Sequence, residues 1–163
     1  MKEIKEKQQP PANKFNPPRM IPPFWLVLTL VAMWALDKWQ PLLQLWGKSA
    51  ADIGFFFIAA GLVLDGWGAL RFLLVRTGLV PFTPVTCLVK TGPFRFSRNP
   101  MYIGMLSIVL GGAIKFGSLS PFFMLPVLFM ILRNRFVIPE EAMLEEVLGE
   151  PYLEFKKERR RWL

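Results

Sequence analysis

The sequence predicts an all-α fold: a polytopic membrane protein of about four transmembrane helices followed by C-terminal cytoplasmic amphipathic helices. Three observations predict it. Hydrophobic residues make up 53% of the chain and mean hydropathy is +0.35, which is more apolar than a soluble domain of 163 residues needs. Four apolar segments alternate with polar, proline- and glycine-rich ones. Threading the chain through a bilayer four times leaves only Lys38, Lys48 and Lys115, of 20 lysines and arginines, on one side. That asymmetry is a positive-inside signal and puts both termini in the cytoplasm.

In chain order, residues 1–20 read as a flexible cytoplasmic tail, because they are charged, proline-rich and poor in apolar residues. Residues 21–163 form one membrane domain. The first span covers about 21–39. Pro22 and Pro23 suit a first helical turn, and Trp25 and Trp39 suit the two interfaces. Asp37 and Lys38 sit where they reach headgroups. The second span covers about 52–74. Gly54, Gly61 and Gly68 recur every seven residues on one face, a groove for close packing either within the chain or in a dimer. Asp65, inside this span, is either a functional carboxylate or a structural partner of a neighbouring helix or Arg71. Residues 75–100 form a long loop, with Pro81 and Pro84 stopping the helix. Shorter spans follow at about 101–116 and 122–135, joined by Gly117–Pro121. From Pro139 to Leu163 two amphipathic helices are separated by Gly149-Glu150-Pro151, and the second ends in a basic cluster suited to anionic headgroups.

Composition removes several kinds of chemistry. The chain has no histidine, hence no histidine base, histidine metal ligand or histidine-containing triad. Its one cysteine, Cys87, excludes an internal disulfide and a thiolate zinc cluster, and no metal site is expected. The net charge of +8 follows topology, so nucleic acid is not the expected partner. The remaining tools are carboxylates, arginines, tyrosines, backbone groups and a cofactor.

Two polar stretches stand out against this background. Cys87 to Gly104, CLVKTGPFRFSRNPMYIG, places Lys90, Arg95 and Arg98 between two apolar spans. Gly92-Pro93 makes a turn. Asn99 suits an N-cap with Pro100 at the first helical position, which leaves the helix's free N–H groups for a carboxylate or a polar ligand edge. Phe94, Phe96 and Tyr102 offer aromatic faces to a sulfonium or an adenine. The same residues also fit a plain interfacial loop. The second stretch is Pro139-Glu140-Glu141. Its carboxylates either complement a helix dipole or bind an ammonium or a hydroxyl of a ligand.

The pattern LVKTGPFRFSRNPMYIG, then a hairpin, then EEAMLEEVLGEPYLEFKKERRRWL resembles the isoprenylcysteine carboxyl methyltransferase family, to which the phospholipid N-methyltransferases are related. The resemblance covers about Thr86 to Leu163. It implies an integral membrane enzyme that uses S-adenosylmethionine, releases S-adenosylhomocysteine and methylates a lipid-like or prenylated acceptor. By motif it implies cofactor contacts at Thr86, Cys87, Leu88, Val89, Gly92, Phe94, Arg98, Asn99, Pro100, Met101, Tyr102 and Glu140. Glu140 would partner the amino group of the methionine moiety. Glu140, Glu141 and Arg135 become the candidate catalytic residues, with Glu141 or Asp65 the candidate base for an amine acceptor. The chain departs from the family in three places. Asn99 stands for a histidine and Phe94 for a tyrosine. Phe136 stands where an arginine meets the acceptor's carboxylate, so either Arg133 or Arg135 serves instead or the acceptor is not a carboxylate. The bacterial inner membrane is the expected location. The alternatives are a phospholipid or amine N-methyltransferase, a non-catalytic membrane protein with a basic cytoplasmic face, or a sterol-reductase type of enzyme. For the last the chain is too short.

Overall fold

The computed structural model describes residues 20–47, 50–75 and 88–162. Among them every regular element is helical. The helices are α1 (Pro22–Trp39), α2 (Ala51–Val75), α3 (Pro100–Phe116), α4 (Met124–Leu132), α5 (Ile138–Leu148) and α6 (Glu150–Glu158). Two helices, not four, are long and apolar enough among the described residues to cross a membrane: α2, and a continuous helix over Ser120–Leu148. α3 is apolar but has only 17 residues. α1 has 18 and carries Asp37 and Lys38 near its end.

The core sits between α1, α3 and α4, where Met33, Met105, Val109, Leu128, Leu132 and Phe136 pack together. α2 lies outside this core and packs chiefly on α3. Its other faces expose Phe56, Leu62, Val63, Leu73 and Leu74, and α1 similarly exposes Val27, Val31 and Trp34. Apolar bands of this extent suit a lipid surrounding better than water.

The heptad glycines explain how α2 binds. Gly54, Gly61 and Gly68 are buried against α3 of the same chain. The partner helix answers with its own seven-residue pair, Gly104 and Gly111. A Cβ on Gly61 would meet Gly104 O at 2.5 Å, and one on Gly111 would meet Gly54 O at 2.5 Å. The two backbones therefore touch where no side chain intervenes. Of the two uses open to the groove in the sequence, packing within the chain occupies it.

The expected boundary between the fourth span and the tail is absent. The helix runs through Pro139 by way of a wider π turn over Arg133–Val137, in which Ile138 N–H donates to Arg133 O. Proline removes one helical N–H and crowds the carbonyl four residues back, and a π turn relieves that crowding. Glu140 and Glu141 are thus carried on a rigid extension of the span.

At the other end of the bundle, the segment 40–47 satisfies the groups that α3 leaves open. Gly117 ends α3 with φ 81°. Leu45 N–H donates to Gly117 O at 2.8 Å, Trp46 Nε1 to Ile114 O at 2.7 Å, and Ser118 Oγ to Asp37 Oδ1 at 2.5 Å. Asp37 therefore serves the fold. Trp46→Phe keeps the ring against Phe122 and removes one hydrogen bond. It is expected to cost about 1 kcal/mol, read as a lower Tm in detergent.

Candidate functional site

The opposite end of the bundle gathers the start of α3, the start of α5, α6 and the segment after it. Three of these meet at the paired glutamates. Tyr102, in the first turn of α3, donates its hydroxyl to Glu140 Oε2 at 3.0 Å. Glu141, only 5% exposed, takes Arg98 Nη1 at 3.2 Å and a two-pronged contact from Arg161, with Nε to Oε1 at 3.1 Å and Nη2 to Oε2 at 2.7 Å. The forked pairing is the strong form of an arginine–carboxylate contact.

The adjacent glutamates therefore differ in what they have free. Glu141 is neutralised by two guanidinium groups. Tyr102 is the hydrogen-bond partner of Glu140 among the described residues, and no cation balances it there. Arg98 is similarly underused: its Nε is buried without an acceptor. Tyr152, buried on α6, stays a neutral hydroxyl, because burial pushes its pKa up to about 12 while Arg98 nearby draws it back. Glu141→Gln leaves Arg98 and Arg161 facing each other without a counter-charge. It is expected to destabilise the protein by about 3 kcal/mol, measured as a fall in Tm.

The other candidates are spread more widely. Asn99 occupies the N-cap position of α3, and Pro100 the first turn, but the Asn99 side chain does not cap the helix. Its amide donates instead to Arg161 O at 3.0 Å, because the tail brings that carbonyl within reach. Gly92 makes its turn with φ 66°, packed under Trp67 and Arg71. Phe94 is buried edge-on against Phe72 of α2, with centroids 5.2 Å apart, while Phe96 is exposed. Met101 packs toward Gly68 of α2. Val89 is buried and Leu88 half-buried, whereas Thr86 and Cys87 lie outside the described residues. Arg135 lies over the Trp25 ring at 5.4 Å, and Arg133 bonds its neighbour Asn134. Asp65 faces α3 beside Gly104 with Oδ1 unpartnered, and Arg71 pairs with Thr91 rather than with it. Sequence reasoning missed Ser97 and Arg161. Arg161 sits in a basic run whose members look alike, and its partners lie 20 to 64 residues away.

A family model described as phospholipid methyltransferase matches residues 50–151. That match takes in α2, the loop before α3, α3 itself, the long helix and both glutamates. No curated protein and no solved structure matches the chain. Because the matched residues make up more than half of the chain and include Arg98, Tyr102, Glu140 and Glu141, the chain belongs to the phospholipid methyltransferase family.

Proposed function

We propose that this protein is an integral membrane methyltransferase that uses S-adenosylmethionine and methylates a lipid-like or prenylated acceptor, as isoprenylcysteine carboxyl methyltransferases do. The observation that carries the proposal is the half-buried Glu140, fixed by Tyr102 yet without a cation among the described residues, next to Glu141 and its partner Arg98, which has unused N–H groups. An amino-acid moiety fits this donor set: its ammonium suits Glu140 and its carboxylate suits Arg98. The cofactor, when bound, supplies an electrophilic methyl group on a sulfonium.

The chain's own work is binding, orientation and exclusion of water. Tyr102 fixes the Glu140 carboxylate. Arg98, Asn99 and the first turn of α3 present donors at one end of the bundle, and the buried Tyr152 of α6 lies near Arg98 and Glu141. Holding two reactants in line in a dry site is a large source of rate on its own. A carboxylate acceptor is already ionised near neutral pH and needs no base, which suits a site whose two carboxylates are both engaged. The family match favours a second acceptor, a phospholipid amine; of the two candidate bases, Glu141 is held by Arg98 and Arg161, which leaves Asp65 to take the proton. The four-span topology, with this end in the cytoplasm of a bacterial inner membrane, is part of the same proposal.

Purified protein is expected to bind S-adenosylmethionine in calorimetry. It is then expected to transfer a labelled methyl group either to a prenylated cysteine carboxylate or to an ethanolamine phospholipid. Folded protein that binds neither the cofactor nor its product at millimolar concentration would falsify the proposal.

A further inference from the structure

We infer that the segment Arg159–Trp162 is a clasp across the candidate cofactor site and that Arg161 is its positioning residue; the inference rests on the function proposed above. Helix α6 ends at Glu158, and Arg159 leaves it in extended backbone with φ −128° and ψ 137°. The chain then runs along the loop that precedes α3. Arg98 N–H donates to Arg160 O at 3.0 Å. Ser97 Oγ and Asn99 Nδ2 both donate to Arg161 O, at 3.2 and 3.0 Å. The side chain of that same Arg161 grips Glu141 on α5 through two hydrogen bonds. Trp162 closes the segment by lying on Phe129 of α4, with centroids 5.0 Å apart.

One residue thereby ties together the two elements that hold the candidate cofactor contacts. Its carbonyl fixes the Ser97–Asn99 loop, one turn before Tyr102. Its guanidinium fixes Glu141, next to Glu140. The Tyr102–Glu140 contact depends on the separation of the same two elements, so the clasp sets the position of Glu140. Arg161 touches Glu141, Ser97 and Asn99 and acts through them. A lysine cannot reproduce the fork, because an ammonium is a single point of contact. Its neighbour Arg160 is exposed and contributes to the loop through its backbone, so the two arginines have different jobs.

The test uses the full chain in detergent and three variants, Arg161→Ala, Arg161→Lys and Arg160→Ala, at a temperature where all are folded. Hydrogen exchange is followed in the 97–103 peptide, and S-adenosylhomocysteine affinity by calorimetry. Arg161→Ala is expected to speed exchange and to weaken binding roughly tenfold, the scale of losing charge-assisted hydrogen bonds. Arg161→Lys is expected to recover part of both, and Arg160→Ala to leave both unchanged. Should Arg161→Ala fail to fold, Arg161→Lys carries the same two readouts. Unchanged exchange and affinity in the Arg161 variants overturn the clasp, as does an equal loss in Arg160→Ala. Wild-type protein that binds no S-adenosylhomocysteine sinks the cofactor reading, and the exchange measurement alone then upholds or overturns the clasp.

Discussion

Glu140→Gln is expected to weaken S-adenosylhomocysteine binding by roughly 30-fold or more, with little change in Tm. The magnitude follows from removing one partner of a desolvated charge pair, which costs about 2 kcal/mol or more. Glutamine keeps the length and planar shape of the side chain, and its amide oxygen can still accept from Tyr102 Oη. Only the negative charge disappears, so any loss of affinity reports a cationic group on the ligand. Tyr102→Phe separates the two contributions. It leaves the charge in place and removes the hydroxyl that orients it, so a smaller loss is expected, about tenfold for one hydrogen bond to a charged group. Glu141→Gln is expected instead to lower Tm, because that carboxylate is spent on Arg98 and Arg161. Equal affinities for the wild type and Glu140→Gln, measured by calorimetry, rule out this carboxylate as a cofactor contact.

Gly61→Ala is expected to destabilise the protein by about 3 kcal/mol, the upper end of the range for overpacking. The new Cβ would stand 2.5 Å from Gly104 O and 2.7 Å from Ile108 Cγ1. The first obstacle is backbone, which cannot rotate away, so α2 and α3 must separate along their shared face. Gly66→Ala is the matched control on the same helix. Nothing lies within 4 Å of its added methyl group, so helix propensity alone acts there. That variant is expected to gain about 0.5–1 kcal/mol. Opposite shifts of Tm in the two variants support direct backbone contact between α2 and α3. A Gly61→Ala protein as stable as the wild type shows that the helices lie further apart than this.

The sequence by itself determined that the chain is helical and where α1, α2 and α3 lie, because apolar length and proline and glycine punctuation are local properties. It also showed the seven-residue glycine face of α2, since such a stripe on an apolar helix has few uses besides close packing. The residues of both polar stretches were legible too, from Arg98 to Tyr102 and at Glu140 and Glu141, because charge and turn chemistry stand out against an apolar background. Tertiary structure decided what each of them does. Nothing in a Glu-Glu pair says which member is neutralised; that depends on Arg98 and Arg161 arriving at Glu141 from other parts of the chain. Asn99 looked like a cap because local chemistry favours one, and it turned away because a carbonyl 62 residues later lies within reach. Pro139 read as a boundary, and the preceding π turn let the helix continue. Local preferences of this kind amount to about 1 kcal/mol, and a buried contact with a distant partner outweighs them.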